Sequence, residues 1–170
     1  GFNSTLRLNK PQVNILSGVY EGSQNITLDI DNNYSTIRYT LDGSIPNYNS
    51  QLYSGTIVID STTVLRSRTF SLNNDILPSE IFSNSYIINS NHDLPIISIA
   101  TDSAFLFDDH IGIYVVGTNG TFLHGDWGSR PSMGVANYFQ NWERPVSIEY
   151  FDNDGNLGFK SRAGIKIHGG

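Results

Sequence analysis

The chain has 170 residues, enough to bury a core in one or two domains. Ten Lys and Arg against 16 Asp and Glu give a net charge of −6, and neither half carries the basic stripe that a phosphate backbone requires, which excludes nucleic acid as a partner. The absence of Cys removes a disulfide framework, a thiolate nucleophile and Cys-ligated zinc.

Residues 1–10 read as a lead-in, with Gly1 as the scar of a removed tag. From residue 11 the pattern has period two with turn punctuation. Ile26, Leu28 and Ile30 alternate with Thr27 and Asp29, and Ile37, Tyr39 and Leu41 alternate with Arg38 and Thr40, so each set places its apolar side chains on one face. Further strands are expected near 12–15, 56–59, 63–71 and 81–88. About seven short strands at this spacing predict an all-β, immunoglobulin/fibronectin III-like antiparallel sandwich with at most one short helix in the whole chain. Its predicted core is Ile26, Leu28, Ile37, Tyr39, Leu41, Ile57, Leu65 and Tyr86. The many Asn, Ser, Thr and Gly point to exposed polar strands.

Gly18-Val-Tyr20, Tyr39-Thr40-Leu-Asp42-Gly43-Ser-Ile-Pro46, Leu52-Tyr53-Ser-Gly55 and Thr63-Val-Leu-Arg-Ser-Arg68 carry a resemblance. Residues 11–89 resemble the chitobiase/beta-hexosaminidase C-terminal domain, which implies a sandwich appended to secreted glycosidases and surface proteins. The residues themselves explain the central motif structurally. Asp42-Gly43 supplies the positive φ of a tight turn, Pro46 fixes its exit, and the tyrosines bury rings.

Residues 90–93 read as a linker, after which the pattern changes. An apolar strand is expected over 94–100, a short helical turn capped by Thr101-Asp102 and carrying Phe105, Leu106 and Phe107, a second strand over 112–115, a long Gly- and aromatic-rich loop over 117–141, and two strands over 145–151 and 157–167. Leu94-Pro95, Leu106-Phe107-Asp108, Gly112-Ile-Tyr114, Trp142-Glu143-Arg144-Pro145, Asp154-Gly155 and Ile167-His168-Gly169-Gly170 resemble, in order, the opening segment of the spore coat protein H (CotH) family of atypical kinases. The resemblance spans 94–170 and implies that the family's catalytic residues come later than Gly170. The closing strand and glycine turn carry the same expectation, that this is the front portion of a longer protein.

No catalytic constellation is expected within the chain: Gly128-Ser129-Arg130 lacks a nucleophile elbow, and adjacent Asp108 and Asp109 point apart on an extended backbone. Asp152-Asn153-Asp154-Gly155-Asn156 has oxygen ligands suited to calcium but no acid at the first EF-hand position, so it reads as a plain hairpin turn. His124, Asp126, Asp108, Asp109 and His110 match no metal spacing, and neither metal nor cofactor is expected. Flat rings are platforms for sugar C–H faces, which makes Trp127, Tyr138 and Trp142 the candidate ligand-binding residues. For Trp142 the competing reading is a ring packed on the sheet beside a Glu143–Arg144 pair.

Together these features predict a non-catalytic accessory or presentation module of an extracytoplasmic, bacterial-type protein. Its expected partners are the domain that follows it in the parent chain and a surface glycan or protein. No apolar run approaches the roughly 20 residues of a bilayer span, so no membrane insertion is expected. The alternative is an N-terminal piece of a CotH-like kinase.

Overall fold

The computed structural model describes residues 6–72, 76–91, 93–118 and 136–168. Twelve strands run in order: β1 (Gln12–Val13), β2 (Gly18–Tyr20), β3 (Gln24–Ile26), β4 (Leu28–Asp29), β5 (Ser35–Thr40), β6 (Gln51–Leu52), β7 (Ile57–Ile59), β8 (Thr63–Ser71), β9 (Phe82–Ile88), β10 (Ile96–Ala100), β11 (Arg144–Phe151) and β12 (Leu157–Ile165). Among the described residues between β10 and β11 lie one helical turn, α1 (Ala104–Phe107), and a 3-10 turn at Asn137–Phe139. The fold is all-β and the sandwich is Ig-like, as the alternation predicts. Two compact units form: Gly1–Ala100 with Ile148–Ser161, and Thr101–Ser147 with Arg162–Gly170.

In the first unit a five-stranded sheet of order β2-β9-β8-β5-β6 faces the ribbons β3-β7 and β1-β4. Ile26, Leu28, Ile37, Tyr39, Ile57, Ile59, Leu65, Tyr86 and Ile88 fill the space between them. A fully buried aliphatic side chain here stabilises by roughly 1.5–3 kcal/mol. Every strand of the five-stranded sheet pairs antiparallel except β2, which runs parallel to β9 with Val19 opposite Ile87. That departs from the wholly antiparallel sandwich expected.

Leu41 is the one predicted core residue that fails, being 41% exposed. β5 ends at Thr40, and the turn at Asp42-Gly43, with Gly43 at φ 80°, stops the alternation before Leu41 can point inward. The run from Ile26 to Ile30 is likewise broken in two. Asn14 clamps Thr27, accepting from its N–H at 2.7 Å and donating its own backbone N–H to the Thr27 carbonyl at 3.2 Å. On either side of this clamp β3 pairs with β7 and β4 with β1.

β9 is buried along Ser83–Ile88 on both faces. Tyr86 and Ile88 belong to the apolar core, whereas Ser85 meets β10 through its hydroxyl, 2.7 Å from that of Ser98. The covering layer is β10 with the Glu149 segment of β11 and the Lys160 segment of β12. The small polar residues of β8 and β9 are buried on both sides of the sheet, Ser67, Thr69 and Ser71 on the Leu65 face toward the apolar core and Ser85 beneath β10, which corrects the expectation of exposed polar strands.

In the second unit α1 starts where Asp102 Oδ1 accepts from Ala104 N–H at 3.0 Å. The strand expected over 112–115 is absent. The N–H groups of Gly112, Ile113 and Tyr114 donate to the carbonyls of Asp108, Phe105 and Leu106, so this segment folds back on the helical turn and offers no ladder. Asn137, 1% exposed, donates from its amide to the Asp109 carbonyl at 3.0 Å and packs on Gly117, where any Cβ would lie 2.2 Å from its Oδ1.

Candidate functional site

The densest polar cluster of the first unit surrounds Glu149, which is 2% exposed on the inner face of β11. Ser17 Oγ donates to its Oε1 at 2.5 Å and the Ser85 N–H to its Oε2 at 2.8 Å. Lys160 of β12 forms an ion pair with Oε1 at 2.9 Å. The same ammonium donates to Asn84 Oδ1 at 2.6 Å and to the Ser83 carbonyl, so it has an acceptor for each of its three protons. Asn84 in turn donates to the Tyr86 hydroxyl, which donates to the Ile15 carbonyl at 2.8 Å. Burial pushes the Tyr86 phenol up to about 12. A cluster whose groups are so fully paired holds strands in register and leaves no free nucleophile or base. Sequence reasoning missed it. The available signal was an acid and a base flanking one turn, Glu149 before 152–156 and Lys160 after.

Of the predicted ligand-binding residues, Trp127 lies outside the described residues. Tyr138 is half-buried in the 3-10 turn and its ring meets that of Phe139, with centroids 4.7 Å apart. Trp142 is also half-buried, with the Arg144 guanidinium 4.8 Å from its ring centroid. Arg144 Nε donates to the Ile111 carbonyl at 2.7 Å, so it braces both the ring and the loop. The ring contacts thus pair Tyr138 with Phe139 and Trp142 with Arg144, and do not join the two candidates to each other. Glu143 lies over Gly164, where a Cβ would come within 2.3 Å of its Cγ.

The calcium-like turn uses its first carboxylate internally. Asp152 accepts from Asn156 N–H at 2.8 Å, Asp154 N–H at 3.0 Å and Asn156 Nδ2 at 3.2 Å, and these bonds, the Asn156 backbone first, hold its pKa down. Asp108 is lowered in the same way, by the His110 and Ile111 N–H groups. His124 and Asp126 lie outside the described residues. The Asp42 carboxylate is lowered by the Ser44 hydroxyl and N–H, which close its turn, and the buried Arg66 guanidinium donates to the Gly43 carbonyl at 2.8 Å.

One cleft of about 560 Å³ opens in the first unit between the end of β2, the exit of β9 and the 152–156 turn. Val19, Tyr20, Glu21, Asn89, Asn91, Asn153 and Asp154 are among its lining residues. Its frame is fixed. Asn89 sits at φ 52°, donates its backbone N–H to the Tyr20 carbonyl at 2.9 Å, and accepts from Gly22 N–H on its Oδ1 at 2.7 Å. Gly155, at φ 81°, packs so closely on Val19 that a Cβ would lie 3.0 Å from the valine Cβ.

Residues 15–83 match the family model of the chitobiase/beta-hexosaminidase C-terminal domain. That domain is a non-catalytic accessory part of glycoside hydrolases, and the stretch similar to it runs from the approach to β2 into the start of β9. No curated protein and no solved structure matches the chain. Among the described residues no helix is long and apolar enough to cross a membrane.

Proposed function

We propose that residues 11–89 act as a non-catalytic accessory and presentation module of an extracytoplasmic or cell-surface protein, onto which residues 148–161 are bonded. The observation that carries this reading is the Glu149 cluster, in which residues from 148–161 are tied to Ser17, Ser83, Asn84 and Ser85 of the sandwich. A bonded layer of that kind transmits position, which a flexible linker does not. Tyr138 and Trp142 stand in this reading as contact residues for a surface glycan or protein. Native-state amide exchange tests the main claim. Amides of 148–151 and 157–161 are expected to share the protection of β8 and β9, and Glu149→Gln to lower it locally. Exchange of those amides at unprotected rates in the unsubstituted protein would refute the reading.

A second reading, residues 94–170 as the opening of a larger CotH-like kinase domain, has one observation in its favour. On the outer face of β10-β11-β12, Ile97, Ile99 and Phe159 are each more than half exposed, and the Tyr150 and Phe159 rings stack at 5.5 Å with an interplanar angle of 7°. Such a sheet face is what a further layer covers. The chain itself is expected to bind no nucleotide, since Lys160 is committed to protein acceptors. Calorimetry with Mg-ATP checks this, and saturable binding that is lost in Lys166→Ala would overturn it.

A further inference from the structure

The cleft at the end of β2 belongs neither to the matched family's description nor to the aromatic candidates, and its chemistry is specific. Its polar lining is built from amides and carboxylates on three separate segments: Glu21 after β2, Asn89 and Asn91 after β9, and Asn153 and Asp154 in the 152–156 turn. No Lys or Arg is among the lining residues, and Glu21 and Asp154 bring two negative charges, so an anionic ligand would meet repulsion with no counter-charge. Val19 is the one aliphatic side chain among the lining residues and the lining is more polar than apolar, which disfavours a lipid or an apolar peptide side chain.

Glu21, Asn91 and Asp154 make no side-chain hydrogen bond or ion pair with another described residue, so their polar atoms are available to a ligand. Their neighbours hold them in place: Asn89 is anchored at both its backbone and its amide oxygen, the Asn153 amide donates to the Asp93 carbonyl at 3.4 Å, and Asp152 closes the turn. A non-glycine residue in the left-handed region costs conformational energy, and here that conformation places the β9 exit beside Gly22 at the rim of the cleft. Amides that both donate and accept, alternating with carboxylates that accept, match pairs of vicinal hydroxyls, which are themselves donor and acceptor at once. The volume lies within the range of small-ligand clefts.

From this lining we infer that the cleft binds a neutral saccharide, taking vicinal hydroxyls on Glu21, Asn91 and Asp154 with Val19 as its apolar edge. The inference is independent of the presentation role, because none of these three side chains takes part in the Glu149 cluster. So open and polar a site implies affinity on the order of 1 mM, supplied by a few hydrogen bonds.

The test is a ¹⁵N–¹H correlation titration of the full chain with cellotriose, maltotriose, tri-N-acetylchitotriose and, as the anionic control, trigalacturonate. At least one neutral trisaccharide is expected to give saturable shifts clustered at residues 19–22, 89–91 and 153–155, and trigalacturonate none. Asn91→Ala and Asp154→Ala, both exposed and without structural bonds from their side chains, are expected to weaken that binding about tenfold each with the melting temperature unchanged. The proposal would be overturned by no saturable shift with any neutral trisaccharide, by shifts confined to residues 138–142, by unaltered affinity in both variants, or by equal binding of trigalacturonate. Calcium chloride alone reproducing the shifts would replace the saccharide with a cation and overturn it equally.

Discussion

The two faces of β9 are built on opposite principles. One carries Tyr86 and Ile88 into an apolar core whose other members come from strands within the first 65 residues. The other carries Ser85 against Ser98 and Glu149 and the Ser83 carbonyl against Lys160, groups that need partners from as far away as β12 and that hydrogen-bond where the first face packs. The apolar face gains by leaving water and tolerates small shifts. The polar face gains only when every donor meets its acceptor, and a single unpaired group costs about as much as several bonds contribute. The difference teaches where specificity resides: the core makes the sandwich stable, while the Glu149 layer fixes which strands cover it and in what register.

Substitution on each face tests that contrast. Leu65→Ala removes a fully buried core side chain and is expected to cost about 3–4 kcal/mol, read as a lower denaturation midpoint with unchanged slope. Glu149→Ala is expected to cost about 2–3 kcal/mol, because it strands the buried Ser85 N–H and the Ser17 hydroxyl. The Lys160 end adds little, since its side chain is 35% exposed and water replaces the lost partner. A cost below about 0.5 kcal/mol for Glu149→Ala would abolish the distinction between the faces, as no buried group would then depend on it.

Tyr86 spans both principles, with its ring in the core and its hydroxyl on Ile15 and Asn84. Tyr86→Phe is expected to cost about 1 kcal/mol at neutral pH. Its folded pKa of about 12 stands above the ordinary tyrosine value of 10.0, so the folded state retains the proton that the unfolded chain releases. The stability this contributes is complete below pH 10 and is lost as pH rises toward 12, at about 1.4 kcal/mol per pH unit within that window. Thermal melts between pH 8 and 11.5 are expected to show this fall in the unsubstituted protein and a shallower one in Tyr86→Phe. The smallest expected effect is at the cleft rim. Gly155→Ala meets both a positive φ and Val19, and is expected to cost about 1 kcal/mol by differential scanning calorimetry.

The apolar face was legible from sequence because its signal is local. Ile37 and Tyr39, Leu65, and Tyr86 announce themselves by alternation within a few residues, and seven of the eight predicted core positions are buried. Leu41 misled because period two does not say where a strand stops, and the Asp42-Gly43 turn stops it one residue early. The polar face was illegible for the converse reason. Ser83 and Ser85 alternate as solvent-facing residues do, and only the position of Glu149 in three dimensions converts them to interior groups. The 112–115 segment failed on hydrogen bonding: its apolar, β-branched sequence suits a strand, but its N–H groups find acceptors in α1 first. Among the proposed contact residues, pattern identified the rings of Tyr138 and Trp142 but not their neighbours. The cleft was missed because it joins three turns that share no motif.

Ser17 and Glu149, 2.5 Å apart in space, are separated in the chain by the whole of residues 101–147 and everything before them. That separation bears on the order of assembly. During synthesis the sandwich strands emerge first and can condense through their apolar face, while Ser83 and Ser85 stay hydrated until β11 and β12 are delivered. Closing so long an intervening segment adds entropy that grows slowly with length but is met before any Glu149 bond forms, which slows the step. Refolding is therefore expected in two stages, an early collapse that Leu65→Ala slows and a slower docking that Glu149→Ala abolishes, read by stopped-flow fluorescence. A chain cut within residues 90–93 would complete the first stage and lack the groups for the second.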